Sequence, residues 1–203
     1  MFELERFIAD CRAALKESVP QLAIKELVDR AVSRPADVEA ALGTPQWAEI
    51  GTLYRSPELT ILNIIWAPGM YLYPHDHRMW AAIGLYGGRV DNVFYRRTPE
   101  GLKPSGGKDL ESADTILLGK DTIHAVTNPL RTFTGALHVY GGDFFGVPRS
   151  EWDPETLEEH PYDVEKAKRV FLEANERLGA QAEGGRPSAL RKSSPRKPGK
   201  SDR

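Results

Sequence analysis

The sequence lacks several features that would mark common classes of protein. Cys11 is the only cysteine among 203 residues, so no internal disulfide can form and a reducing compartment fits best. No run of about 18 apolar residues occurs, so the sequence predicts no transmembrane helix. The N-terminus also lacks the basic start and the cleavage site of a secretion signal. We therefore expect a cytoplasmic protein that makes no membrane contact.

Large apolar side chains are scarce at the C-terminal end. Residues 184–203 contain seven Lys or Arg and one acid, which gives this stretch a net charge of +6 and leaves −8 for the rest. Gly, Pro and Ser fill many of its other positions, and such a segment buries too little surface to offset its ordering entropy. We predict a disordered basic tail over residues 181–203 without a specific nucleic-acid role. A role in binding an acidic partner or nucleic acid is the alternative.

The first part of the chain has helical periodicity. Apolar residues recur at helical spacing from Phe2 to Leu15 and again after Pro20. A third, short helix is predicted between Pro35, which suits a first helical turn, and Gly43, which suits a helix end. These helices form a predicted N-terminal segment over residues 1–45.

From about residue 46 the pattern changes to short strand-like runs separated by Gly, Pro, Asn and Asp. No helical pattern lies between these runs, which argues against a parallel βαβ sheet and favours an antiparallel sandwich or barrel. After Pro148 a helical pattern returns, and it predicts a helix that is capped near Asp163 and ends at Gly179. The predicted organisation is a helical segment packed on a barrel, with the barrel over 46–152 and the C-terminal helix within 153–180.

Histidine is also scarce, with five in the chain, and two of them stand two apart in "YPHDHRMW". Alternate residues of a strand point to the same face, so the sequence predicts that His75 and His77 lie together and that Asp76 points to the other face. An H-x-H pair alone is a weak metal signal. The spacing to a third histidine, His124 in "DTIHAVTN", strengthens it.

The spacing of these residues resembles the two motifs of the cupin superfamily. The matching residues are Gly69, His75, His77 and Gly88 in the first motif and His124 and Asn128 in the second. The resemblance implies a mainly β fold, the cupin double-stranded β-helix or jelly-roll barrel, with N-terminal helices and a C-terminal helix added to it. The proline and glycine that usually precede the second-motif histidine are Gly119 and Asp121 here.

The first motif departs from the cupin pattern at Ala81, where cupins usually have a metal-binding glutamate. The resemblance then leaves His75, His77 and His124 as the metal ligands. Three neutral imidazoles leave a divalent ion with its full charge and with open positions. Imidazole suits iron, nickel, copper and zinc alike, so the ligand type does not select the metal. Such a site favours an anionic substrate bound to the metal, and a thiolate is one candidate.

Two further stretches, "PHDHRMW" and "HVYGGD", resemble the thiol dioxygenase family, which includes cysteine dioxygenase and 3-mercaptopropionate dioxygenase. The resemblance covers about residues 54–152 and implies that Fe(II) and O2 oxidise a small thiol to its sulfinate. The family's Ser-His-Tyr set corresponds to Ala136, His138 and Tyr140, so the serine is replaced. The resemblance therefore assigns the catalytic roles outside the metal to His138 and Tyr140.

In that family an arginine binds the substrate carboxylate, and the sequence offers Arg55, Arg149 and Arg97 as candidates. An ordinary surface or salt-bridged arginine is the alternative for each of them.

Two other functions stay open. One is a metal-dependent cupin enzyme that acts on a non-thiol substrate, and the other is a metal- or ligand-binding cupin without turnover. The sequence specifies neither the thiol nor an oligomeric state.

Overall fold

The computed structural model describes residues 1–184, and this part of the chain forms four helices and eleven strands. The helices are α1 (Leu4–Ala14), α2 (Pro20–Val32), α3 (Pro35–Leu42) and α4 (Val164–Gly184). The strands are β1 (Glu49–Arg55), β2 (Thr60–Trp66), β3 (Tyr71–Asp76), β4 (Ala81–Gly87), β5 (Arg89–Thr98), β6 (Gly101–Glu111), β7 (Thr115–Leu118), β8 (Ile123–Thr127), β9 (Thr134–Tyr140), β10 (Ser150–Trp152) and β11 (Glu159–Pro161). Among the described helices, none has both the length and the apolar character needed to span a membrane.

The three N-terminal helices confirm the periodicity of the sequence. Pro20 and Pro35 occupy the first turns of α2 and α3, where the missing amide hydrogen leaves no intrahelical bond unmade. Gly43 ends α3 with a φ of +92°, which favours glycine, and its N–H donates to the Glu39 carbonyl at 2.8 Å.

The eleven strands form two antiparallel sheets. One has the order β1-β2-β9-β4-β7 and the other the order β11-β10-β3-β8-β5-β6. From β2 to β9, each connection except β5 to β6 passes from one sheet to the other. This path is that of a jelly roll, or double-stranded β-helix, and it confirms the predicted fold class.

Strand alternation separates two cores. On β9, Leu137 and Val139 point outward and pack with Ile24 and Val28 of α2, so the N-terminal helices cover the outer face of the first sheet. Tyr140, on the same strand, points into the space between the sheets. Side chains of successive strand residues point to opposite faces of the sheet. All seven residues of β9 are buried, because helices cover one face of its sheet and the second sheet covers the other. The interior between the sheets is therefore the place where polar groups of β3, β8 and β9 can meet away from water.

The apolar pattern of the sequence did not predict β6, because most side chains of this strand are exposed. Within Gly101–Glu111 the buried side chains are Leu102 and Leu110, near the two ends of the strand, and the residues between them are exposed. A strand at a sheet edge with mostly solvated side chains has no apolar alternation to detect. The short strands β10 and β11, which the pattern also did not predict, pair with each other.

Helix α4 begins as predicted but ends later. The Asp163 carboxylate accepts hydrogen bonds from the backbone N–H groups of Glu165 and Lys166 at 2.8 and 3.1 Å, which is an N-terminal cap. The helix continues through Gly179 to Gly184, because Gly179 does not adopt the positive φ that would end it. Residues 181–184 of the predicted tail thus belong to α4. The prediction of disorder for 185–203 lies outside the described residues.

Gly84 of β4 lies directly beneath helix α2, and a methyl group there would have no room. A Cβ would come within 2.5 Å of Val28 Cγ1 and 2.9 Å of Val32 Cγ1. We expect Gly84→Ala to lower the free energy of unfolding by about 1–3 kcal/mol through overpacking. The matched control is Gly87→Ala on the same strand, where a Cβ would meet nothing within 4 Å. Urea unfolding measures both variants, and equal losses would contradict the packing of α2 on β4.

Candidate metal centre

Three of the five histidines meet in the space between the two sheets. His75 lies on β3 and His124 lies directly opposite it on β8, while His77 follows β3 by one residue. One ring nitrogen from each histidine lies within 4.8 Å of the other two, and the His77 and His124 Nε2 atoms are 3.4 Å apart. All three side chains are buried. The predicted ligand set is therefore assembled in space.

Two of these rings are oriented by hydrogen bonds from their Nδ1 atoms. His75 Nδ1 donates to the Tyr73 carbonyl at 2.9 Å, and His124 Nδ1 donates to Asn92 Oδ1 at 3.0 Å. Because both partner atoms can only accept, each Nδ1 carries the hydrogen and each Nε2 presents its lone pair. Asn92 itself is held by donation from its Nδ2 to the Lys108 carbonyl at 3.2 Å.

Sequence reasoning missed Asn92. A single asparagine inside "RVDNVFYRRT" has no pattern that marks it, and only the pairing of β5 with β8 brings it to His124. Hydrogen bonds of this kind to a metal-binding histidine fix the ring and its tautomer. In contrast, His77 Nδ1 is buried and has no hydrogen-bond partner among the described residues.

The geometry and the protonation of the cluster fit a metal ion. Two imidazole nitrogens bound at about 2.1 Å to one ion lie about 3.0–3.4 Å apart, which is the separation of the His77 and His124 nitrogens. Burial lowers the pKa of His75 to about 4, and it lowers the pKa values of His77 and His124 well below the ordinary value. The rings are therefore neutral at pH 7, as metal ligation requires.

The cluster contains no carboxylate. Ala81, at the position of the usual cupin glutamate, is fully buried and pairs with Tyr140 on the neighbouring strand β9. Within residues 1–184, the His75, His77 and His124 group is the candidate metal set and includes no Asp, Glu or Cys. The ligand set available to an ion is all-imidazole, as the sequence predicted.

The histidines line a small cavity of about 20 Å³. A space of this size holds about one water molecule. Aromatic and aliphatic side chains form the rest of its wall, so few polar groups compete for an occupant. The other lining residues are Ile50, Ile64, Trp66, Leu72, Val126, His138, Tyr140, Phe144, Tyr162 and Phe171.

The predicted pair of His138 and Tyr140 is present beside the histidine cluster. His138 Nδ1 and the Tyr140 hydroxyl share a hydrogen bond of 2.9 Å, and the Tyr140 ring meets the His77 ring edge-on with centroids 5.1 Å apart. Ala136 supplies no hydroxyl, so Tyr140 itself orients His138. Burial lowers the pKa of His138 to about 3 and raises the pKa of Tyr140, so the pair is a neutral imidazole and a neutral phenol.

Of the three candidate arginines, Arg149 packs against two of the aromatic rings that line the cavity. Its guanidinium carbon lies 3.9 Å from the ring centroids of both Phe144 and Tyr162, which line the cavity. Arg149 is 7% exposed and donates from one terminal nitrogen to the Phe144 carbonyl at 2.8 Å. Its Nε and its other terminal nitrogen have no hydrogen-bond partner in the described part of the chain.

Arg55 and Arg97 contact other side chains instead. Arg55 is 48% exposed and binds the carboxylate of Asp143 through two hydrogen bonds of 2.8 Å. Arg97 pairs with Glu159 and lies over the Trp152 ring at 4.8 Å. None of the three arginines lines the cavity itself. Within the described residues, Arg55 and Arg97 also make no cation–π contact with Phe144 or Tyr162 of the kind that Arg149 makes. Their predicted contact with a substrate carboxylate therefore gains no support from their positions, because each guanidinium already has a carboxylate partner.

The protein has distant structural neighbours among solved proteins. No family model matches the sequence. Similar solved structures include the cupin domain of Cnp3 from Schizosaccharomyces pombe, with 7% identity, coverage of 51% of this chain and 67% of that chain, and a TM-score of 0.42. An RmlC-like cupin protein with a double-stranded β-helix fold from Methanocaldococcus jannaschii has 8% identity, coverage of 50% and 85%, and a TM-score of 0.42.

An enzyme is among the similar structures. A mutant of oxalate decarboxylase from Bacillus subtilis has 16% identity, coverage of 43% of this chain and 22% of that chain, and a TM-score of 0.37. Identities and TM-scores this low carry no argument about substrate or metal. The strand order and the histidine cluster themselves define the class of protein, a double-stranded β-helix with a candidate three-histidine metal centre.

The four buried histidines predict a steep loss of stability in mild acid. Their folded pKa values lie below the unfolded value of about 6.5, so the unfolded chain alone takes up protons as the pH falls from about 6.5 towards 4. Each histidine then costs about 1.4 kcal/mol of unfolding free energy per pH unit in this window. Urea unfolding of metal-free protein at several pH values measures the slope.

The contribution of one histidine can be isolated by substitution. We expect His138→Asn to reduce the slope by about 1.4 kcal/mol per pH unit. His160→Gln changes an exposed histidine and should keep the full slope. A wild-type slope in His138→Asn would contradict a buried neutral imidazole at this position.

Proposed function

We propose that this protein is an Fe(II)-dependent thiol dioxygenase that converts a small thiol carboxylate, of the cysteine or 3-mercaptopropionate type, to its sulfinate. The observation that carries the proposal comes from the described part of the chain: an all-imidazole cluster without a carboxylate, near a buried arginine that has no acidic partner there. The reaction RSH + O2 → RSO2H balances without a reductant. Sulfur supplies all four electrons and keeps both oxygen atoms.

The charges of the site support a substrate with two anionic groups. Neutral histidines leave a divalent ion uncompensated, and Arg149 adds a buried positive charge. A buried guanidinium with unpaired N–H groups is costly, and a carboxylate can accept from two of them in parallel. A thiolate for the metal and a carboxylate for Arg149 would satisfy both requirements.

Each residue of the proposed site has a distinct task. His75, His77 and His124 hold Fe(II), which supplies thiolate binding and oxygen activation when it is bound. Arg149 binds the substrate carboxylate through its free Nε and terminal nitrogen. The Tyr140 phenol stays protonated because it is buried, so its hydroxyl can donate a hydrogen bond at the reacting groups while it accepts one from His138 Nδ1. Phe144 and Tyr162 exclude water from the cavity.

The size of the cavity favours small substrates. A volume of about 20 Å³ is less than a three-carbon thiol carboxylate needs. Since Phe144 and Tyr162 line the cavity and pack on Arg149, we expect these rings to move aside when a substrate binds. A larger thiol, such as a tripeptide, would need a larger rearrangement of the same wall.

Metal content and oxygen uptake test the proposal directly. We expect purified protein to retain iron, and Fe(II)-loaded protein to consume O2 only with a thiol. The measurement is an oxygen-electrode assay with cysteine, 3-mercaptopropionate and cysteamine, with sulfinate identified by mass spectrometry. Uptake should be absent in His124→Ala and retained in His160→Gln, the exposed control. Bound zinc or nickel and no uptake with any thiol would favour the non-thiol enzyme or the non-catalytic cupin.

The role of Arg149 predicts a loss that depends on the substrate. Removing a charge-assisted hydrogen bond costs about 1.5–3 kcal/mol, so Arg149→Ala should reduce kcat/KM for 3-mercaptopropionate by roughly 10- to 100-fold. Cysteamine has no carboxylate, and its kcat/KM should change much less. Arg55→Ala is the informative comparison. If that variant shows the carboxylate-dependent loss instead, Arg55 is the substrate residue and the assignment to Arg149 is wrong.

A further inference from the structure

Asp76 lies between the two histidines of the H-x-H pair, but its side chain points away from the cluster. It is 2% exposed. Its Oδ1 accepts a hydrogen bond from the backbone N–H of Ser150 at 2.8 Å, and its Oδ2 pairs with Arg78 Nε at 2.6 Å. A terminal nitrogen of Arg97 lies 3.6 Å from the same oxygen. The proposed chemistry uses none of these contacts, so this buried carboxylate needs a separate explanation.

The bond to Ser150 joins two parts of the candidate site. Ser150 begins β10 and directly follows Arg149, while Asp76 ends β3 between His75 and His77. The strands β3 and β10 are otherwise paired in register at a single position, His75 with Glu151. The backbone thus attaches β10 to β3 at one position, while β10 also pairs with β11. The Asp76 side chain supplies a second point of attachment, next to Arg149 itself.

The contacts to arginine fix the turn that carries His77. Arg78 has a φ of +54°, a left-handed conformation that a residue with a side chain adopts only when its surroundings hold it there. The pairing of Arg78 Nε with Asp76 is such a restraint. Arg97 on β5 and Glu159 on β11 extend this network, since Arg97 pairs with both carboxylates. One side chain therefore restrains the His77 turn and the start of β10 together.

We propose that Asp76 is a positioning residue that couples the two halves of the site, holding the histidine turn and Arg149 at a fixed separation. Its substitution should weaken metal binding and should also reduce the preference of the metal-loaded protein for thiols that carry a carboxylate. The second effect rests on the proposed function. The first depends only on the histidine cluster. If Asp76 served stability alone, its substitution would change neither the metal affinity nor the preference for carboxylate thiols in the folded protein.

Two substitutions separate the contributions of Asp76. Asp76→Asn keeps an oxygen that accepts from Ser150 but removes the charge that pairs with Arg78 and Arg97. Asp76→Ala removes both contacts. The matched control is Asp91→Ala on β5, which removes a partly exposed carboxylate that pairs with Arg89 in the same sheet. If the alanine variant at position 76 does not fold, the asparagine variant carries the test.

The experiment uses Co²⁺ as a spectroscopic probe of the intact chain. Competition with a chelator gives metal affinity, and titration of the Co²⁺ protein with 3-mercaptopropionate and cysteamine gives the carboxylate preference. We expect a 10- to 100-fold loss of Co²⁺ affinity in Asp76→Ala, a smaller loss in Asp76→Asn and none in Asp91→Ala. The preference for 3-mercaptopropionate should fall in Asp76→Ala, and hydrogen exchange at the Ser150 amide should accelerate.

The outcomes separate this inference from the proposed function. Wild-type Co²⁺ affinity and Ser150 exchange in folded Asp76→Ala would overturn the positioning role. The same conclusion would follow if Asp91→Ala reproduced its losses. If wild-type protein binds Co²⁺ but shows no preference for the carboxylate thiol, the proposed function fails, while metal affinity and Ser150 exchange still decide the role of Asp76. If wild-type protein binds no Co²⁺, both proposals are overturned.

Discussion

The candidate site depends on the burial of uncharged imidazoles in the space between two β-sheets. Dehydration holds the pKa values of His75, His77 and His124 below the ordinary range, so their nitrogen lone pairs remain free for a metal at neutral pH. This condition requires that both sheets be covered well enough to exclude water. The N-terminal helices cover the outer face of one sheet, and the aromatic side chains of Phe144 and Tyr162 close the cavity at its wall.

The distribution of positive charge defines the second half of the site. Arg55 and Arg97 are held by the carboxylates of Asp143 and Glu159, and their fields are largely compensated there. Within residues 1–184 Arg149 has no such partner and lies between two aromatic rings, where the cation is stabilised by the ring faces but keeps free N–H donors. A single uncompensated cation beside neutral metal ligands is an arrangement suited to an anionic ligand.

Much of this architecture follows from local patterns in the sequence. The helical periodicity before residue 46, the prolines and glycine at helix ends, and the short apolar runs predicted the helices and most of the strands. The strands that escaped prediction are β6, β10 and β11. Strands β6 and β11 lie at the edges of a sheet, where solvent covers most of their side chains, and β10 is only three residues long, too short to show a pattern. Likewise, Gly179 does not end α4, since a glycine ends a helix only where the chain adopts the left-handed conformation.

The sequence by itself determined the class of fold, the three histidines, the absence of a glutamate at Ala81 and the alternation that puts His138 and Tyr140 on one face. The tertiary structure alone decided which arginine lies beside the cavity and that Asn92 orients His124. The physical reason is that spacing along a strand fixes the face of a side chain, whereas its partner depends on strand register. Asn92 reaches His124, and Arg149 lies behind the Phe144 and Tyr162 rings, because β5 and β10 pair with strands distant from them in the sequence.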